Sequence, residues 1–384
     1  MVDRSLGTGV LNGVKVADFT TMMAGPLATR YLADLGADIV KVEAPDGDYI
    51  RTRHPMRQGL SSYYGHINAG KKSIVLDLND PADREVAIAI IADADVMAEN
   101  FRPGVMAKFG LDYESIRKIN PSIIYCSVTG YGVEGPGARR PAFAQIVQAA
   151  SGYDRAFMSY QDNVERPHNS MLFVADAMGA SHAFSAILAA LYHRQATGEG
   201  QYIDVTLLES MFQLMVYEMQ EVQCPATEVR PLFRPLKASD GFVMITPTSQ
   251  RNFENVARAM GHPEWIEDER FSVTAQRHNH WSELYALMEA WTSRHSAQQC
   301  EDLLNAGGVP CSRYKEMREA MADEQLNTLG TLAPVRDNAG EFLVPNLPFR
   351  MSAGRVNAKP FVSALDQDRE EVLARFAPTA GVKA

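Results

Sequence analysis

Asp176 stands where an apolar run meets the strongest helical pattern in the chain, in Val174-Ala175-Asp176-Ala177-Met178-Gly179. An aspartate there can cap a helix, or it can present a carboxylate kept ionised by the N-terminal dipole to a reactive group. Small Ala177 and Gly179 would leave room for a substrate. Periodicity does not choose between these readings. Two further segments, Asn68-Ala69-Gly70-Lys71-Lys72-Ser73 and Asn100-Phe101-Arg102-Pro103-Gly104, each join a turn residue to a cation beside an expected strand end. Open α/β sheets take ligands at such ends, and a phosphate contact needs that mixture. Arg51, Arg53, Arg57, Lys71 and Lys72 lie within one short stretch, with Arg102, Lys108, Arg139 and Arg140 beyond it. Such local basic segments suit a small, highly charged anion. The opening turn reads Thr20-Thr21-Met22-Met23-Ala24-Gly25-Pro26 and lacks the GxGxxG glycines, which argues against a nicotinamide dehydrogenase.

The elements that must position these residues alternate. Val14 to Phe19, Asp38 to Glu43, Ser73 to Leu78, Asp95 to Glu99 and Ile123 to Val128 read as strands. Leu27 to Leu35 and a segment from Pro81 to about Ile91, with Asp80 as N-cap, read as helices between them. Strands separated by helical crossovers predict an α/β domain with a parallel sheet. Met178 to Arg194 is predicted as a helix from its apolar stripe of Ala180, Phe184, Ile187, Leu188 and Leu191, followed by a strand at Tyr202 and a long helix from Leu207. Cys224 to Pro235 carries three prolines and no periodicity, the composition of a linker. A strand at Gly241 to Ile245 and amphipathic helices at Asn252 to Met260 and Trp281 to Trp291 predict a smaller α+β domain, with a last helix around Asp368 to Phe376. The expected organisation is a large domain from 1–223, a linker over 224–240, the small domain over 241–313, and 314–384 returning to the large domain.

The 384 residues are 46% hydrophobic and 22% charged, enough to bury sizeable cores. The net charge of −10 disfavours nucleic acid and anionic membrane as partners. No apolar run of secretory type opens the chain, and Ala183 to Tyr192 is too short to span a bilayer. The four cysteines are scattered, as reduced thiols in a cytoplasm would be. No HExxH occurs, and His278 and His280 fall in a polar stretch, so no metal site is expected.

Taken as an ordered set, these segments resemble the class III CoA-transferase (CaiB/BaiF) family. The resemblance runs over nearly the whole chain and includes Leu11 to Val16, Leu35 to Glu43, Asn68 to Leu78 and Glu99 to Gly104. Ala175-Asp176 with Gly179, Thr197 to Gln201 and Ala306 to Cys311 complete it. It implies a Rossmann-like large domain, a smaller domain and an interlocked-ring dimer, as a homodimer or a heteromeric pair. It implies no tightly bound cofactor, coenzyme A being part of substrate and product, and an acyl-CoA and a carboxylic acid as partners. Asp176 would be the covalent nucleophile. Family contacts to CoA map onto Met23 and Ala24, Leu76, Asp77, Leu78 and Asn79, and Asn100, Phe101, Arg102 and Lys108. Arg139 and Arg140 lie where a further basic residue for the nucleotide phosphates is expected, and Ala44 replaces an arginine that some members carry. Arg53 is the expected grip on the acceptor carboxylate, with Arg51 and His168 as alternatives. Racemases of this fold carry a histidine in the segment that reads Pro141-Ala142-Phe143-Ala144 here, and Phe143 cannot shuttle a proton. Many transferases carry Tyr-Asp or Tyr-Glu at Phe143 and Ala144, so the acceptor pocket is expected to differ. A racemase and a non-catalytic CoA-binding partner subunit are the competing readings.

Overall fold

The computed structural model describes residues 9–225 and 231–376; the opening residues and part of the expected linker lie outside these. The chain divides into two compact units, 1–219 with 327–384, and 220–326.

The first unit is built on six parallel strands: β1 (Lys15–Asp18), β2 (Asp38–Glu43), β3 (Lys71–Val75), β4 (Val96–Glu99), β5 (Ile124–Thr129) and β6 (Gln201–Thr206). Their spatial order is β3-β2-β1-β4-β5-β6, the doubly wound arrangement. All but one residue of β1 and of β2 are buried, and β5 is buried throughout, as strands covered on both faces must be. Helices supply the cover: the crossovers α1 (Ala24–Asp34), α2 (Ser62–Asn68), α3 (Pro81–Ala92), α4 (Ala144–Ala150) and α5 (Val174–Thr197), and α6 (Leu207–Phe212) after the last strand. Asp80 caps α3 through Ala82 N–H, with Pro81 in its first turn, as predicted. The long helix expected from Leu207 is instead two, α6 and Val216–Gln223. The order of the strands reverses at β1, whose neighbours β2 and β4 lie on opposite sides, so a crevice opens between the carboxyl ends of β1 and β4.

α5 begins four residues before the expected Met178. By length and composition it could cross a membrane, unlike the shorter Ala183–Tyr192 stretch considered above. It is the crossover joining β5 to β6, and its Ala175, Gly179, Ala183, Phe184 and Ile187 are buried in the core with α1.

The chain's later part returns to the same sheet. The amides of edge strand β3 are satisfied by carboxylates, Ser73 N–H by Asp368 at 2.8 Å and Val75 N–H by Asp366 at 2.8 Å. An edge so occupied cannot template another strand.

The second unit has its own core around Phe253, Phe271, Leu284 and Met288. Its antiparallel sheet contains β7 (Leu236–Lys237), β8 (Phe242–Ile245) and β9 (Cys311–Arg313), with β8 central. β7 lies inside the segment expected as linker. The helices α7 (Gln250–Ala259), α8 (Trp281–Thr292) and α9 (Ala297–Ala306) cover the sheet. His278 contacts Trp281 edge-on, and His280 Nδ1 lies 2.7 Å from Glu283.

Candidate active site

Asp176 is the third residue of α5, inside the helix, and so it is not the N-cap. Phe173 holds that position and makes no side-chain cap. Instead Gln148, on α4 and only 1% exposed, reaches across: its Oε1 accepts from Val174 N–H at 3.1 Å and from Ala175 N–H at 3.5 Å. The Asp176 carboxylate makes no hydrogen bond and no ion pair with any described residue. Burial pushes its pKa up to about 6, against the anion-favouring dipole at the helix start. Tyr63 of α2 stacks on Phe173, centroids 6.3 Å apart and planes within 5°. Its hydroxyl is pushed up to about 12, first by burial and then by the charge of Asp176, so the two side chains are neighbours. A carboxylate that is largely out of water and has no partner among the described residues is poorly solvated. Gly179 does not make room for a substrate: a Cβ there would fall 2.3 Å from Leu207 Cδ2, so its smallness serves the packing of α5 on α6.

A helix linking parallel neighbours β5 and β6 must run back against the strands, so α5 starts at the sheet's carboxyl edge. The turn after β1 opens on the same edge and is held at nearly every backbone group. Asp18 Oδ1 accepts from Thr20 N–H, Lys41 Nζ donates to Thr20 C=O at 2.6 Å, and Asp48 Oδ1 accepts from Met22 N–H at 3.2 Å. Asn100, at the end of β4, pairs both ways with Thr21, accepting from its N–H at 2.8 Å and donating to its C=O at 2.7 Å. Met22 is thereby held at φ 66°, in the left-handed region that non-glycine residues rarely adopt. Met23 becomes the N-cap of α1 without a side-chain cap, and Ala24 its first residue. Gly25 lets α1 approach, because a Cβ would sit 2.5 Å from the Thr20 side chain.

The remaining predicted positions separate clearly. Leu76 is core. Asp77 accepts from Asn79 N–H and Nδ2 at 2.9 Å, a tight turn after β3 in which Leu78 packs inward. Phe101 also packs inward, its N–H bonded to Glu99. Arg102, on the loop after β4, Arg139 and Arg140, on the loop after β5, and Lys108, which ends the short helix Val105–Lys108, are exposed and pair with no carboxylate of the described residues. Phe143 is the N-cap of α4 and 60% exposed. His168 is exposed, its ring edge-on to Phe157 at 5.6 Å. Arg53 is exposed, its guanidinium 3.5 Å from the Tyr49 ring centroid.

Other cations singled out in the sequence have structural partners. Arg51 forks onto Glu43 with two 2.7 Å bonds, which occupies it fully and removes it as a carboxylate grip. Lys71 is 2% exposed and spends its ammonium on Asp18, Asn68 and the Pro26 carbonyl, all within 2.9 Å. The Asn68–Ser73 segment also leads into the amino end of β3, opposite the edge where ligands bind. Its cation is a strut under the first turn, with no route to a phosphate. Arg57 is paired with Asp337, and Lys72 with Asp38 and Glu371.

Sequence reasoning passed over Tyr63, Phe173, Asp48 and Gln148. Only Gln148 left a signal: it shares a helical face with Ala144 and Val147, both buried, where a polar side chain must find a buried partner.

Comparison with known proteins shows the family. The model of CoA-transferase family III matches residues 11–368. The chain is 32% identical to the acetyl-CoA:oxalate CoA-transferase of Acetobacter aceti over 380 residues, 96% of each chain. It is 31% identical to the succinyl-CoA:mesaconate CoA-transferase of Haloarcula hispanica, over 95% of this chain and 96% of that one. The crystal structure of a CAIB/BAIF family protein from Brucella suis superposes with a TM-score of 0.84 at 30% identity, covering 97% of this chain and all of the other. With a match of this extent and a carboxylate free at the carboxyl edge, the chain belongs to CoA-transferase family III.

Proposed function

We propose that this enzyme moves CoA from a donor acyl-CoA to an acceptor carboxylic acid through covalent intermediates on Asp176. The observation that carries the proposal is the Asp176 carboxylate itself: half-buried, unpaired among the described residues, and at the carboxyl edge of a doubly wound sheet. One of its oxygens attacks the thioester carbonyl, and the C–S bond breaks to give an aspartyl–acyl anhydride and CoA thiolate. The thiolate, the anion of a thiol with a pKa of roughly 8.5, leaves readily and then attacks the aspartyl carbonyl, releasing the donor acid. The acceptor carboxylate attacks the resulting aspartyl-CoA thioester, giving a second anhydride. CoA thiolate then attacks its acceptor carbonyl, freeing Asp176 and the new acyl-CoA. No net proton, electron or nucleotide is consumed.

The exposed, unpaired cations Arg102, Lys108, Arg139 and Arg140 are assigned to the CoA phosphates. Met23, Ala24, Leu76 to Asn79, Asn100 and Phe101 are assigned to its nucleotide and pantetheine arm. Arg53, with Phe143 and His168, is assigned to the acceptor. The relatives named for oxalate and mesaconate point to a small dicarboxylate acceptor, and a hydroxy acid fits the same cation. A dimer of interlocked chains is part of the proposal, and so is the cytoplasm, to which the free thiols of all four cysteines point. The test is mass spectrometry of the protein after incubation with a panel of acyl-CoAs. A CoA-sized adduct on the Asp176 peptide, absent from Asp176→Asn, is the expected result. Exchange of the substrate α-proton with deuterated solvent and no adduct would replace this reading with a racemase.

A further inference from the structure

The nucleophile's helix is not capped by its own sequence. Its first two amides, those of Val174 and Ala175, are taken by the Oε1 of Gln148, a side chain 1% exposed on a different helix. A carboxylate in a first helical turn can accept from the free amides of that turn. Asp176 is so placed, yet makes no such bond. We propose that Gln148 is a positioning residue that occupies those amides so that the Asp176 carboxylate cannot turn back onto its own helix and stays available to the acyl carbon. This rests on the reading of Asp176 as nucleophile. The bond must run this way, because only the carbonyl oxygen of a glutamine accepts.

Among the described residues, Gln148 is the side chain that holds the amides beside Asp176. Tyr63 of α2 faces it but stays neutral, its hydroxyl pushed up to about 12. Burial is the sole cause of the raised Asp176 pKa, so no charged side chain of the described residues on α1, α4, α6, β5 or β6 contributes. His182, further along α5, bonds Ser210 of α6 instead. Gln148 also lies within two turns of Phe143 at the start of α4, so one short helix carries a proposed acceptor contact at one end and the cap at the other.

The test compares wild type, Gln148→Leu and Gln148→Glu in the pH dependence of adduct formation from saturating acyl-CoA, read by mass spectrometry. Gln148→Leu frees the two amides for Asp176 itself. The rate falls on the order of 10- to 100-fold, the KM for acyl-CoA stays within about twofold, and the acid limb moves down by about one pH unit. Gln148→Glu keeps an acceptor but adds a like charge, so the acid limb moves up by about one unit. A wild-type limb in both variants, with activity lost only in step with thermal stability, overturns the proposal. Should Gln148→Leu fail to fold, the direction of the Gln148→Glu limb decides alone. If Asp176→Asn still forms the adduct, the nucleophile assignment itself has failed; an inactive Asp176→Asn with unmoved limbs sinks only the role of Gln148.

Discussion

As the proposed nucleophile, Asp176 is expected to act in opposite senses on activity and on stability. A nucleophilic carboxylate must be ionised, and burial has raised its pKa to about 6. Transfer is therefore expected to fall as pH drops through about 6, where an exposed aspartate would keep its charge to about 4. For stability the sign reverses. A carboxyl whose folded pKa lies above its unfolded value contributes fully below about pH 4, and that contribution is lost as pH rises through about 6. At pH 7 the ionised side chain is a burden, so Asp176→Asn, though inactive, should be more stable by about 1–3 kcal/mol in denaturant unfolding, the gain vanishing near pH 4. A less stable variant at pH 7 would show that the carboxylate has a partner. The two neighbouring arginines give a second contrast. Arg51→Ala strands Glu43, whose pKa is held down to about 2 chiefly by Arg51, overcoming the burial that raises it. Removing one partner of such a pair costs about 3–5 kcal/mol. Arg53→Ala removes an exposed guanidinium resting on Tyr49, so it should cost within about 0.5 kcal/mol while raising the KM for the acceptor acid and not for acyl-CoA.

At the scale of elements, the β–α alternation, the caps and most of the crossovers were legible because local signals and tertiary fold agree. Asp80-Pro81 at the start of α3 is the clearest case. The start of α5 was not, because its cap comes from Gln148, 26 residues earlier in the chain. A non-local cap lets a helix begin where its own sequence offers no N-cap, and the apolar stripe from Ala180 onward gave no hint of it. The cations misled for a related reason: Arg51 and Lys71 have the composition of an anion site, but their partners Glu43 and Asp18 lie on other strands. Asn100 was picked out for its place beside a strand end, while its reciprocal bonds to Thr21 depend on the strand order. Those two bonds join the loops that flank the switch point. Asn100→Ala leaves a half-buried amide and carbonyl without partners, at a cost of about 1–3 kcal/mol. The Met22–Ala24 turn should loosen with it. The expected reading is a KM for acyl-CoA raised on the order of tenfold, with the Asp176 adduct still formed at saturation. An unchanged KM would mean that the turn does not touch the coenzyme.

Over the whole molecule, charge is divided between use inside the fold and use outside it. The chain carries 37 basic and 47 acidic side chains, so free positive charge is scarce and its location is informative. Lys41, Lys71, Arg30 and Arg51 are consumed in buried pairs that hold the first turn, α1 and the β2–β3 edge together. Among the exposed cations without an ion pair to the described residues, Arg102, Arg139 and Arg140 stand on the loops that follow β4 and β5, and Lys108 ends the short helix after β4. On a chain of net charge −10, exposed cations of this kind attract a polyanion locally although the molecule as a whole repels it. Each exposed contact to phosphate is screened by salt, and the Debye length is roughly 8 Å at physiological ionic strength. Arg139→Ala with Arg140→Ala should therefore raise the KM for acyl-CoA by roughly 3- to 30-fold without changing kcat. It should also flatten the rise of KM with salt seen in the wild type. An acyl-CoA lacking the ribose 3′-phosphate should lose the same increment in the wild type and little more in the variant, because both changes remove one interaction. Additive losses would assign these arginines to something other than that phosphate.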